Sequence, residues 1–123
     1  MNALTIKEMS NMTGLSIPTL RYYEEIGLLD VVQRADNGHR RYSEDDLRRV
    51  EFLKRVRATG MSIREMLHYV ELYRVGDSTL FERLDILEKH RLAVQTQIDA
   101  LIEVRDFLDT KIIRYQNVMN SPV

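Results

Sequence analysis

The sequence predicts a mainly α-helical fold: a small multi-helix domain interrupted by one hairpin, then a single long helix. Three observations carry this expectation. Gly14, Gly27, Gly38, Gly60 and Gly76 all fall between stretches of helical periodicity. Helix-start signals alternate with those glycines. From Leu80 to Met119 a series of positions at alternating steps of four and three is apolar at ten of its twelve places.

The spacing predicts helices over 5–12, 16–26, 43–59, 62–74 and 78–119. Thr5/Glu8, Ser62/Glu65 and Thr79/Glu82 each read as a capping box, in which a hydroxyl accepts from an early backbone N–H and an acid three residues on reaches back. Ser16 precedes Ile17-Pro18, and proline is tolerated in a first turn. Ser43 precedes Glu44-Asp45-Asp46, acids placed to favour the positive end of the helix dipole. Ile6, Met9 and Met12 form the apolar stripe of the first helix. Leu47, Val50, Leu53 and Val56 form that of the third, and Ile63, Met66, Leu67 and Val70 that of the fourth. Residues 30–42 read differently. Val31-Val32 favours strand, and Asn37-Gly38 supplies the positive φ angles of a tight turn, so a short two-stranded hairpin is expected there.

In the last helix, positions 80, 84, 87, 91, 94, 98, 101, 105, 108, 112, 115 and 119 are apolar except Arg91 and Arg105. A heptad seam this long needs a partner helix, and this chain has no other of comparable length. A homodimer is expected, with Leu84, Leu87, Val94, Ile98, Leu101, Leu108, Ile112 and Tyr115 at its interface. A second stripe, Ile86, Ala93, Ala100 and Phe107, is expected to pack on the globular part. Arg91 and Arg105 flank Ile98 symmetrically. Like-charge contact follows in a parallel or an antiparallel pairing, so they do not decide orientation. The domains expected are 1–76, then the dimerisation helix at 77–120, then a tail at 121–123.

Composition narrows the function. The chain of 123 residues carries a formal charge of −1, which does not suit a polybasic nucleic-acid coat but leaves a local basic face open. It has no cysteine, which excludes disulfides, thiolate metal sites and cysteine nucleophiles. No apolar run approaches a membrane span, and the N-terminus lacks signal-peptide character. A cytoplasmic protein without membrane contact is expected. No nucleophile–base pairing and no phosphate loop is visible, so no catalytic residues, cofactor or metal site is assigned, and the protein is not read as an enzyme. His68 and His90, alone, make a poor ligand site. Tyr69 and Tyr73 read as core or as a pocket facing the partner's coil.

The first two helices with Thr13-Gly14-Leu15 between them make a helix-turn-helix pattern. The second helix bears Thr19, Arg21, Tyr22 and Tyr23, and the hairpin adds Arg34, Asn37, His39, Arg40, Arg41 and Tyr42. Residues 34–57 hold eight Lys or Arg (34, 40, 41, 48, 49, 54, 55, 57) against five acids (36, 44, 45, 46, 51), a local basic region. Arginine and tyrosine donate to phosphate oxygens, and arginine also reads guanine edges. Adjacent helical residues rarely both face outward, so one of Tyr22 and Tyr23 is equally well read as core.

These stretches resemble the MerR family of bacterial transcription regulators. The resemblance rests on Thr19-Leu-Arg-Tyr-Tyr-Glu24 with Gly27-Leu-Leu29, Arg34 through Gly38-His-Arg-Arg-Tyr42-Ser43, Phe52-Leu-Lys54, Gly60-Met-Ser-Ile-Arg-Glu65 and the terminal helix. It implies a winged helix-turn-helix DNA-binding domain, with the hairpin as wing one and the turn before the fourth helix as wing two. It also implies an antiparallel coiled-coil homodimer on a promoter inverted repeat, distorting the spacer DNA so that RNA polymerase engages. The DNA-contact residues it implies are Thr19, Arg21, Tyr22, Tyr23, Arg34, Asn37, His39, Arg40, Tyr42 and Arg57. The cysteines of the family's metal and thiol sensors are missing here, with Arg55 at one such position. A short form without a cysteine sensor or a C-terminal effector domain is therefore expected, its small-molecule effector unknown. A different class of reading remains for the same residues: a coiled-coil dimer whose helix-turn-helix docks a protein partner. Salt-dependent binding to duplex DNA separates the two.

Overall fold

The structure, a computed structural model, describes residues 3–30 and 41–122. Helices α1 (Ile6–Thr13), α2 (Ile17–Glu25), α3 (Glu44–Ala58), α4 (Ile63–Val75) and α5 (Leu80–Met119) follow in order, with a 3-10 turn at Asp77–Thr79. The chain divides into two compact units, Met1–Leu84 and Asp85–Val123. The expected hairpin falls almost wholly on residues outside those described. Of its flanks, Tyr42 forms an antiparallel bridge with Leu4, through Leu4 N–H to Tyr42 O at 2.7 Å and Tyr42 N–H to Leu4 O at 2.8 Å.

Local chemistry sets the helix ends. Thr5 and Glu8 form the expected capping box, and Ser43 forms one with Asp46. Ser16 caps α2 by accepting from Thr19 N–H at 3.2 Å. Gly14 takes a left-handed φ of 78° that ends α1, a conformation that costs any residue with a Cβ. Two expected caps differ. Ser62 accepts from Glu65 N–H, but the Glu65 carboxylate accepts from the Ser62 hydroxyl and not from backbone. Thr79 is no cap of α5. It is buried, and its hydroxyl lies 2.6 Å from Leu72 O and 2.8 Å from Gly76 O, tying the start of α5 to the end of α4.

The first unit closes over Met9, Leu20, Tyr23, Leu28, Leu29, Tyr42, Val50, Leu53, Val56, Met61, Met66 and Val70. Each fully buried aliphatic side chain contributes about 1.5–3 kcal/mol by leaving water. Met12, expected on the α1 stripe, is 56% exposed, and Thr13 takes the buried position instead. The Thr13 hydroxyl donates to Met9 O at 2.7 Å and accepts from Leu15 N–H at 3.2 Å, so its polarity is satisfied inside.

The second unit is helix throughout to Met119, and α5 has no buried residue in the single chain. Along this helix Ile86 is half-buried and Ala93, Ala100 and Phe107 are exposed. No helix among the described residues is long and apolar enough to cross a membrane.

Candidate nucleic-acid interface

The turn between α1 and α2 is braced from α3. The Lys54 ammonium donates to Thr13 O, the last carbonyl of α1, and lies 3.3 Å from where a Cβ on Gly14 would stand. No basic residue occupies the last turn of α1, so Lys54 supplies from another helix the positive charge that end of a helix dipole favours. This fixes how α2 leaves the turn.

On α2, Arg21 is exposed and Tyr22 is 48% exposed, whereas Tyr23 is buried. The Tyr23 carbonyl accepts from Leu28 N–H at 2.9 Å and Leu29 N–H at 3.2 Å, which folds the end of α2 back over the core. Burial pushes the Tyr23 hydroxyl's pKa up, against the lowering field of Arg57. The pair thus divides: Tyr22 outward, Tyr23 inward, with ring centres 6.4 Å apart. Thr19 is half-buried, and its hydroxyl lies 2.9 Å from that of Ser16. Thr19, Arg21 and Tyr22 therefore offer a hydroxyl, a guanidinium and a ring from one short helix.

Tyr42 corrects the sequence reading. It has no exposed surface, and its hydroxyl donates to Glu24 Oε2 at 2.7 Å. A ring so enclosed offers no face to a phosphate, so the structure places Tyr42 in the core, where the sequence reading put it on the wing surface. Arg34, Asn37, His39 and Arg40 lie outside the described residues. Arg57 is exposed at the end of α3 and donates from Nη1 to Met61 O at 3.3 Å, which stretches it along the turn before α4.

Sequence reasoning counted Lys54 only within the basic region, and gave no role to the acid Asp30. Asp30 Oδ2 accepts from Arg49 of α3 at 3.0 Å, and Oδ1 accepts from Arg74 of α4 at 3.0 Å. Partial burial pushes the Asp30 carboxyl up. The hydrogen bond from Arg74 and the charges of Arg49 and Arg74 outweigh it and hold the pKa below the usual carboxylate value. These partners are 19 and 44 residues distant in sequence, beyond any helical or strand period. No convergence of His, Asp and Glu suited to a metal occurs among the described residues.

A short reader helix with outward Arg21 and Tyr22, seated by a braced turn, finds its match in known proteins. The MerR HTH family regulatory protein model matches residues 4–71, and the MerR DNA-binding model matches residues 47–111. The chain belongs to the MerR family. Members are DNA-binding transcriptional regulators with an N-terminal helix-turn-helix and a long C-terminal helix, the architecture seen here. The AdhR transcriptional regulator of Bacillus subtilis is 40% identical over 88 residues, which is 72% of this chain and 63% of that protein. A MerR family regulator from Listeria monocytogenes superposes with a TM-score of 0.84 at 40% identity, covering 92% of this chain and 86% of that one. HiNmlR, described as a MerR family regulator lacking the sensor domain and bound to promoter DNA, also gives 0.84, at 33% identity over 95% of this chain and 93% of that one.

Apolar surface on the long helix of this MerR-family chain is extensive. Leu84 is 53% exposed and Leu101 69%. Leu87, Ile98, Leu108, Ile112 and Tyr115 are exposed too, and Val94 is half-buried. Exposed apolar area of this extent marks an interaction surface.

Proposed function

We propose that this regulator binds a promoter inverted repeat as an antiparallel coiled-coil homodimer, α2 entering the major groove and the wing gripping phosphate. By distorting the spacer DNA it controls engagement by RNA polymerase. The observation that carries the reading is the outward pair Arg21 and Tyr22 on α2, in a chain whose long helix leaves all of its apolar heptad seam but Val94 exposed. The promoter-bound state of HiNmlR, similar along nearly its full length, supports it. Thr19, Arg21 and Tyr22 are the candidate groove contacts, with Arg34, Asn37, His39, Arg40 and Arg57 on the wings. Tyr23 and Tyr42 support them from the core. An effector, where one acts, is a small organic molecule or a partner protein, since the chain holds no thiol.

Duplex affinity measured across a salt series tests this. Each phosphate neutralised releases counterions, so the logarithm of the binding constant falls with the logarithm of salt by about 0.9 per contact. A steep fall is expected, and Arg40→Glu should weaken specific and non-specific binding together, as a phosphate contact does. An affinity indifferent to salt would remove the reading and favour a protein partner for the helix-turn-helix.

A further inference from the structure

The chain enters residues 31–40 from Asp30 and leaves them just before Tyr42. Both feet of this segment are fastened to the helical domain. Tyr42 is held by its bridge to Leu4 and by Glu24. Asp30 is held by Arg49 and Arg74, and Arg74 also donates to Gly27 O at 2.8 Å. The Asp30 side chain is 58% exposed, so either ion pair alone contributes little stability. What the pairs fix is direction.

The Asp30 foot does not end at α3. The Arg49 guanidinium lies 5.3 Å from the centre of the Tyr73 ring on α4, and the Arg83 guanidinium of α5 lies 5.3 Å from the same ring. Such contacts are favourable because the ring face is negative. The Arg83 side chain is only 11% exposed. It donates from Nε to Thr79 Oγ1 at 3.0 Å and from Nη2 to Gly76 O at 3.1 Å, which locks it into the turn where α5 begins. One series of charged and aromatic groups therefore runs from the wing's entry to the first turn of the long helix. No residue in it is a candidate DNA contact.

We propose that Asp30, Arg49, Tyr73 and Arg83 form a positioning relay that sets the seat of wing one, so that the first turn of the dimerisation helix determines how the wing meets the DNA backbone. The proposal rests on the DNA-binding reading above. It assigns a part in DNA recognition to residues outside the candidate DNA contacts, and it makes Tyr73 the joint, because both guanidiniums lie against its ring.

Binding to a mixed-sequence duplex, measured across a salt series beside thermal unfolding of each variant, tests it. Tyr73→Leu keeps the charge and removes the ring. Affinity should fall about tenfold, and the salt slope should shrink by about one phosphate contact as the wing loses its grip. Tyr73→Phe keeps the ring and should bind as the wild type does. Asp30→Ala removes a negative charge, which by bulk electrostatics tightens binding to a polyanion. The relay requires the opposite, weaker binding with a reduced slope, and this exposed position answers the question even where Tyr73→Leu fails to fold. Tyr73→Leu that lowers the unfolding temperature yet leaves affinity and slope unchanged overturns the relay. So does Asp30→Ala that binds more tightly. Wild-type binding indifferent to salt overturns the DNA-binding reading itself, and the relay with it.

Discussion

Tyr42 joins three parts of the first unit with different parts of itself. Its backbone pairs with Leu4, its ring fills the core, and its hydroxyl reaches Glu24 on α2. A hydrogen bond to a carboxylate is worth about 1.5–3 kcal/mol. Tyr42→Phe should therefore lower unfolding free energy by about that amount in denaturant titration, while the salt slope of DNA binding stays at the wild-type value. A reduced slope would return Tyr42 to the DNA surface. The sequence marked this tyrosine as functional because it follows the basic tip of the hairpin, and aromatic residues beside arginines suit a phosphate surface equally well. Burial is what separates the roles, and burial of Tyr42 is decided by Leu4 and Glu24, which share no period with it. Tyr22 and Tyr23 were easier: helical geometry alone requires adjacent residues to diverge, although it does not say which one turns inward. Lys54 was legible only as one charge of the basic region and Asp30 not at all, since each acts on an element far along the chain.

At the scale of elements, helix starts were legible because a cap is a local device. Thr5, Ser16, Ser43 and Ser62 each accept from a backbone N–H within three residues, and the sequence holds both partners. Thr79 shows the limit. Its spacing to Glu82 is that of a capping box, yet the hydroxyl oxygen accepts from Arg83 Nε at 3.0 Å, and its proton faces the carbonyls of Leu72 and Gly76. Met12 failed for a related reason: on an eight-residue helix a one-residue rotation exchanges Met12 for Thr13 at the core, and the Thr13 hydroxyl finds partners there. The seam of α5 needs no such competition, because its period persists over 40 residues. Ile98 and Leu101 are its centre and are 44% and 69% exposed in the single chain. Ile98→Asp with Leu101→Asp should give monomers in sedimentation equilibrium and lose operator binding, since a buried unpaired carboxylate is costly. The helix-turn-helix unit should keep its thermal transition. A double variant that stays dimeric would show that the seam is not the interface.

For the whole molecule, the direction of pairing decides which operator it fits. Helix α5 has 40 residues, which at about 1.5 Å per residue is about 60 Å. The reader precedes this helix in each chain. An antiparallel pair therefore attaches its two readers near opposite ends, separated by roughly the helix length. Two turns of B-DNA span about 68–72 Å, so an antiparallel pair would let both α2 helices reach major-groove faces on one side of the duplex. A parallel pair brings the attachment points together and suits half-sites about one turn apart. Arg91 and Arg105 do not choose between these, as either arrangement brings like charges near each other. Leu84 and Ile112 can report the choice, because they lie equally far in sequence from Ile98 and would meet across an antiparallel seam centred there. The chain has no native cysteine, so introduced thiols report without background. In a mixture of Leu84→Cys and Ile112→Cys chains, oxidation should join one kind to the other, and Leu84→Cys alone should remain unlinked. The same dimer should protect an inverted repeat whose half-sites are about two turns apart in a footprint. Disulfide formation between two Leu84→Cys chains, with none to Ile112→Cys, would reverse the pairing and bring the expected half-sites one turn apart.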